Sequence, residues 1–555
     1  MLYVMQNSML EWSYTSGKKY KDPYNQVELS VLITDPDGIQ SEIPAFWAGD
    51  QIWRIRYASS KIGRHHFRTL CTDMHNSDLH GREGAIEVTS YEGNNSLLKH
   101  GPLHMSDNRR YLKHADGTPF FWLGDTWWMG LTSRLRWPED FQLLTADRVK
   151  KGFSVIQIVA GLYPDMEPFD KRGANEAGFP WKEDYSCINP SYFDMADLRI
   201  SWLVNSGLVP CIVGSWGYFL DFAGMDVIKK HWRYLVARYG AYPMVWCIAG
   251  EPLMAFYGST NWSDEKNEKY KMIRKDKKLE EEYLKTTKAG WTEVTAYVRS
   301  LDPYHHPITI HDVSHRHIND ISLIDINMLQ TGHAGWKSLD NTVGIMAEAL
   351  AIRPQLPVID GEACYEGIGG TNGPDIQRFI FWAHMLSGAA GHTYGANGLW
   401  QFNTREKPYG PSPHGMSWGD VPWEDAYRLP GSKHLGLCKK LLERYPWWQF
   451  EPHPEWAEPH AGKDNCMGLY AAGIPGEVRV IYKNFFTTIT LIKGLESDVT
   501  YRAFFYDPAT GKEYDCGVVK PDEHGNWKLP YFTIEFLIAP ICDDVVLVLE
   551  RSDRD

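Results

Sequence analysis

Two stretches decide the fold: Met244-Val-Trp-Cys-Ile-Ala-Gly-Glu251-Pro252 and Pro357-Val-Ile-Asp-Gly-Glu362. Each is a short, nearly unbroken apolar run, the pattern of a strand buried on both faces of a parallel sheet. Each ends on a glutamate. The interval between them has room for about three strand–helix units. In a (β/α)8 barrel, the C-terminal ends of the strands face the active site. Two carboxylates there are what glycosidic bond cleavage requires: one acid/base and one nucleophile or second base.

Working outward, the same rhythm runs from about residue 100 to 448. Strand-like runs occur at 120–125, 153–160, 209–214, 244–250, 307–311, 326–331, 357–362 and 391–394. Helical stretches separate them. One starts at Pro138 with Glu139 and Asp140 in its first turn, and one spans 192–205 and stops at Gly207, both ordinary start and stop signals. Others are predicted at 227–239, about 280–301, 376–386 and about 432–445. Eight alternations fit a (β/α)8 TIM barrel better than an open doubly wound sheet. An open sheet would want a Gly-rich phosphate loop after its first strand, and Gly124-Asp-Thr-Trp-Trp128 is not one.

The flanks read differently. Val27-Glu-Leu-Ser-Val-Leu-Ile-Thr34, the turn Asp35-Pro-Asp-Gly38 and Ile52-Trp-Arg-Ile-Arg-Tyr57 have strand spacing and turn signals. The runs 477–482, 501–506 and 544–549 do the same at the other end. The predicted fold class is multidomain α/β: an N-terminal β-sandwich (1–98), a (β/α)8 catalytic barrel (99–448) and a C-terminal β-sandwich (449–555). The highly charged 264–282 segment reads as a solvated helix or an extended loop over the end of strand 4.

Net charge is −13 and no Lys/Arg run stands out, which argues against nucleic acid or an anionic membrane as partner. No apolar run reaches the ~18 residues of a membrane span. The 23 Trp and 30 Tyr suit sugar binding, because flat rings stack on the apolar faces of sugars. Nine single cysteines without a Cys-x-x-Cys pair, and no secretory signal at the N-terminus, lead to the expectation of reduced thiols and a cytoplasmic location. An oligosaccharide or glycoside substrate is expected, and a homo-oligomer is compatible with the chain.

For the chemistry, Glu251 is read as the acid/base and Glu362 as the nucleophile. Two glutamates on strands 4 and 7, across the barrel from one another, favour retention of configuration. The Glu251 pKa should be raised by the Glu362 charge. Asp360, two residues back on the same strand, is expected to point to the same side, deeper in the barrel. The substrate-binding candidates come from strand ends and the loops after them: Asp125, Trp127, Trp128, Gln157, Asp165, Trp216, His311, His333, Tyr394, Trp400 and Gln401. Asp125 is the leading candidate for clamping a sugar hydroxyl. The histidines between His305 and His317 form no His-Glu-x-x-His motif, so no metal and no cofactor are expected. Absence of a Gly-x-Ser-x-Gly elbow or a Walker loop counts against an esterase or a nucleotide-driven enzyme. The rivals are a pyranosidase on the same barrel, a non-catalytic carbohydrate-binding barrel and a polysaccharide lyase.

Four segments carry a family resemblance in combination: Phe120-Phe-Trp-Leu-Gly-Asp-Thr-Trp-Trp128, Gly152-Phe-Ser-Val-Ile-Gln157, Pro357-Val-Ile-Asp-Gly-Glu362 and Tyr394-Gly-Ala-Asn-Gly-Leu-Trp-Gln401. The core resembles the apiosidase-like glycoside hydrolases. Phe46-Trp-Ala-Gly-Asp50, Trp53-Arg-Ile-Arg-Tyr57 and Gly63 resemble the β domain that often precedes such barrels. The resemblance implies an acid/base after strand 4 and a nucleophile after strand 7, at Glu251 and Glu362. It also implies a terminal furanose, such as apiose or arabinose, as the sugar released. The chain departs from the family at Ala249-Gly250-Glu251, where Gly-Gly-Asp is frequent. It also lacks the Asn that usually precedes this glutamate in the larger clan.

Overall fold

The computed structural model describes residues 1–413, 415–462, 464–529 and 544–552. At its centre are eight parallel strands: β1 (Trp122–Thr126), β2 (Val155–Val159), β3 (Val209–Val213), β4 (Val245–Cys247), β5 (Ile308–Thr309), β6 (Asn327–Gln330), β7 (Val358–Glu362) and β8 (Gly391–Tyr394). They pair in the order β5-β4-β3-β2-β1-β8-β7-β6. The Asp325 amide donates to the Ile308 carbonyl at 2.8 Å and the Thr309 hydroxyl donates to the Ile326 carbonyl at 3.0 Å, which closes the ring between β5 and β6. This is the (β/α)8 barrel that the two glutamate-terminated runs predict. Every residue of β1, β2, β3 and β7 is buried, as a sheet covered on one side by helices and filled on the other demands.

Six of the helices follow the sequence signals, and a further one, Leu339–Ala351 between β6 and β7, is not predicted by them. They span Glu139–Lys150, Pro190–Asn205, Met225–Tyr239, Lys277–Leu301, Leu339–Ala351, Pro374–Met385 and Pro430–Leu442. The first stops short of Gly152 and the second of Gly207, both glycines at positive φ (83° each). The charged segment after β4 forms a helix of its own, Asp264–Lys275, capped by the Ser263 side chain. It buries Tyr270 and Ile273, and Tyr270 packs into a cluster with Phe222, Phe256 and Trp262.

Inside the barrel a polar chain links the strands. The Trp122 indole donates to the Thr393 hydroxyl (3.0 Å), that hydroxyl to Gln157 Oε1 (3.3 Å), and Gln157 Nε2 to the Gly361 carbonyl (2.8 Å). The β6–β7 register shifts between Leu329 and Gln330, so that Asp360 pairs with Leu329 and Glu362 with Gln330. A β carbon on Gly361 would meet Met328 at 2.4 Å and Gln157 at 3.4 Å, so Gly361 faces the barrel interior. Asp360 turns outward, toward His384 on helix 374–385. The expectation that Asp360 shares a side with Glu362 is therefore corrected: the bulge breaks the two-residue alternation.

The N-terminal domain consists of a five-stranded and a three-stranded sheet over a shared core of Val31, Ile33, Trp53 and Ile55. It is fastened to the barrel by buried charge. Arg56 pairs with Glu11 and Asp197 and donates to the Arg238 carbonyl (2.7 Å). Arg238 pairs with Asp197 in turn. At the other end a six-stranded antiparallel sheet turns Tyr470, Tyr482 and Phe504 toward the barrel helices. Its other face packs around Trp456, Ile481, Ile492 and Leu547, with the short pair Ala457–Glu458 and Leu491–Ile492 alongside. Arg378 on helix 374–385 and Asp544 form a buried ion pair across that interface (2.6 Å). Among the described residues no helix is long and apolar enough to cross a membrane. The eight described cysteines are free thiols; Cys542 lies outside the described residues.

Candidate active site

At the C-terminal mouth of the barrel lies a cavity of about 200 Å³ that contains both glutamates. β3 and β4 remain paired beyond their regular ends, through Trp216 and Gly250. A β carbon on Gly250 would lie 2.3 Å from the Trp216 ring, so only glycine lets the indole pack against the backbone there. The Trp216 indole N–H consequently reaches Glu251 Oε2 at 3.1 Å. Gln330 at the end of β6 donates to the other oxygen, Oε1, at 3.1 Å. Glu251 itself has φ of 42°, a left-handed conformation that costs a non-glycine residue about 1–3 kcal/mol.

Glu362 is treated differently. His311 Nε2 stands 3.0 Å from its Oε2 and His333 Nε2 stands 3.1 Å from its Oε1. Tyr365 shares a hydrogen bond with the same carboxylate and takes one from the Trp128 indole at 2.9 Å. The two environments push the carboxyls apart. Burial, with the Glu362 charge second, lifts Glu251 to about 7. Burial would also lift Glu362, but the two imidazoles outweigh it and hold that carboxyl at about 2. His311 shows the reciprocal effect: burial opposes its charge, and Glu362 nevertheless raises its pKa. Near neutrality one carboxyl can give a proton while the other stays ionised.

Of the residues singled out in the sequence, Trp128, Asp165, Trp216, His333 and Trp400 line the cavity with Glu251 and Glu362, and His311 lies directly behind Glu362. Asp165 has φ of 54°, and burial lifts its carboxyl to about 7. Five candidates fall elsewhere. Asp125 is fully buried in an ion pair with Arg148 (2.5 Å) and accepts from the Trp127 indole (2.7 Å), so both residues brace the barrel wall rather than reach a sugar. Gln157 holds the Gly361 carbonyl. Tyr394 donates to Glu366 (2.5 Å), and Gln401 accepts from the Gly398 amide (2.9 Å). None of the five lines the cavity, because strand-end position does not say which way a side chain turns.

Sequence reasoning missed Tyr257, Gln330, Tyr365 and Trp418, which also line the cavity. Gln330 was accessible, as the next-to-last residue of the predicted strand 326–331. Tyr257 and Trp418 belong to long loops with no periodic signal.

Residues 106–449 match the model of the apiosidase-like catalytic domain, which is more than half of the chain. The chain belongs to that family. It is accordingly a glycoside hydrolase of the apiosidase-like type. Residues 4–72 match a domain of unknown function, DUF5060. A solved glycoside hydrolase superimposes on the apiosidase-like enzyme with a TM-score of 0.63 at 22% identity, covering 82% of this chain and 98% of its own. A glycoside hydrolase family 5 protein from Bacteroides vulgatus gives 0.62 at 20% identity, with 82% and 95% covered. A second Bacteroides vulgatus protein gives 0.65 at 15% identity over 100% of both chains. These likenesses are of fold. A search of curated protein sequences finds no match.

Proposed function

We propose that the enzyme is a retaining glycosidase that removes one terminal sugar, with Glu251 as acid/base and Glu362 as nucleophile. The observation that carries this reading is one cavity with two carboxyls in opposite states: Glu251 raised to about 7 and Glu362 lowered to about 2. Glu251 protonates the leaving oxygen while Glu362 attacks the anomeric carbon. Water then releases the sugar as Glu251 takes back a proton. His311 and His333 keep the nucleophile anionic, and Tyr365 orients it.

The size of the site favours a terminal sugar. Pockets for whole drug-sized ligands run about 300–1,000 Å³, and the cavity here is about 200 Å³. That suits a single sugar ring rather than an extended chain. Its walls of Trp128, Trp216, Tyr365 and Trp400 offer flat apolar faces, and Asp165 offers a carboxyl for a hydroxyl. Family membership favours a furanose such as apiose or arabinose as that sugar.

The test is hydrolysis of 4-nitrophenyl furanosides and pyranosides by wild type and Glu362→Gln, with the anomer of the first product read by NMR. Release from a furanoside with retention, lost about 10³-fold or more in the variant, is the expected result. Release from pyranosides alone would replace the furanose reading with a pyranosidase. An inverted first product would overturn the double displacement. Sugar binding without hydrolysis would leave a carbohydrate-binding barrel.

A further inference from the structure

Away from the cavity, three buried side chains converge where β7, β8 and helix 374–385 meet. Asp360 Oδ2 lies 3.1 Å from His384 Nδ1 and 3.9 Å from His392 Nδ1. All three residues are at most 1% exposed, and one donor atom from each lies within 4.8 Å of the other two. His384 Nε2 is 3.3 Å from the Thr342 carbonyl. That contact sets the ring's orientation, with Nδ1 turned toward the Asp360 carboxylate. Both nitrogens of His392 and Oδ1 of Asp360 have no hydrogen-bond partner among the described residues. Thr331 donates its hydroxyl to Asp360 Oδ2 at 3.2 Å. Buried polar atoms left without partners are costly. A cation supplies what is missing.

We infer that Asp360, His384 and His392 bind a divalent transition-metal ion of the zinc type, in a structural role separate from the reaction. Two imidazoles and a carboxylate suit zinc, whereas calcium and magnesium favour all-oxygen sites. Ligand atoms about 2.0–2.1 Å from a tetrahedral zinc stand roughly 3.3 Å apart, and the separations of 3.1 and 3.9 Å bracket that spacing. The Thr342 carbonyl is the outer partner that orients the His384 ring. His384 also borders a cavity of about 690 Å³ between helices 339–351 and 374–385 and the C-terminal sheet. The ion ties β7, β8 and the intervening helix together behind the strand that bears Glu362. The ligands fall at positions 360, 384 and 392 on three elements, so no local motif announces them.

The test uses the full chain without an affinity tag. Metal content after dialysis is measured by plasma mass spectrometry, followed by chelator stripping and titration with Co²⁺. The expected result is one equivalent of zinc per chain, a lower Tm on stripping that zinc restores, and a visible Co²⁺ band saturating at one equivalent. His392→Gln should lose the band, whereas His315→Gln, at a histidine paired with Glu348 (2.9 Å), should keep it. If His392→Gln does not fold, the wild-type titration still decides. A metal-free protein with no Co²⁺ band and a Tm indifferent to zinc would overturn the site and leave a triad held by protons alone.

Discussion

At the residue scale the site works by giving two chemically identical groups different neighbours. Trp216 and Gln330 offer Glu251 neutral donors, which leave burial to raise its pKa; His311 and His333 offer Glu362 groups that can carry charge. The sign of the pH dependence follows. Glu251 is raised to about 7, so its acid form is present below that value, and kcat/KM should fall as pH rises through about 7. Glu362 is lowered from 4.5 to about 2. Its ionic contribution to stability is complete above 4.5 and is lost as pH falls toward 2. Replacing His333 by Ala should therefore move the acid limb of the rate profile upward and leave the alkaline limb near 7, as read from kcat/KM against pH. In Glu251→Gln, substrates with poor leaving groups should lose far more rate than activated aryl glycosides. Equal losses across a leaving-group series would remove Glu251 from the acid role.

At the element scale, the bulge in β7 sends Asp360 toward the helices and Glu362 into the cavity. Gly361 makes that geometry possible, because its missing β carbon would lie 2.4 Å from Met328. Gly361→Ala should cost about 1–3 kcal/mol through overpacking, measurable as a fall in the urea midpoint, and should lower activity by displacing Glu362. The eight strands and most of the helices between them were legible in the sequence, because strand runs and helix boundaries are local signals; the helix Leu339–Ala351 was not read. Side-chain direction was not. Asp125 at the end of β1 looked as available as Glu251 at the end of β4, yet Arg148, on the next helix, occupies it. The bulge also escaped notice, since Val-Ile-Asp-Gly-Glu alternates perfectly well on paper.

At the scale of the whole molecule, the three domains are joined by buried charge rather than by loose linkers. Asp197 serves both Arg56 of the sandwich and Arg238 of the barrel, and Asp544 of the C-terminal sheet serves Arg378. Removing one partner of a buried pair costs about 3–5 kcal/mol. Asp197→Ala should therefore lower the Tm measurably, and the intact chain should unfold as one calorimetric transition rather than three. Separate transitions would mean that these contacts are weaker than they look. The division into barrel and flanking β domains could be read from the change in sequence rhythm. The interfaces could not, because Arg56, Asp197 and Arg238 are ordinary charged residues until the fold brings them together.

The cavity has a division of labour with a practical outcome. Glu251, Glu362 and their nearest partners rise from strand ends, whereas Trp128, Asp165, Tyr257, Trp400 and Trp418 belong to connections between elements. On the proposed roles, bond-breaking and sugar choice fall in separable parts of the chain. An engineer could exchange the segments bearing Tyr257 or Trp418 to admit a bulkier glycone while leaving the reacting pair untouched, and natural drift has the same freedom.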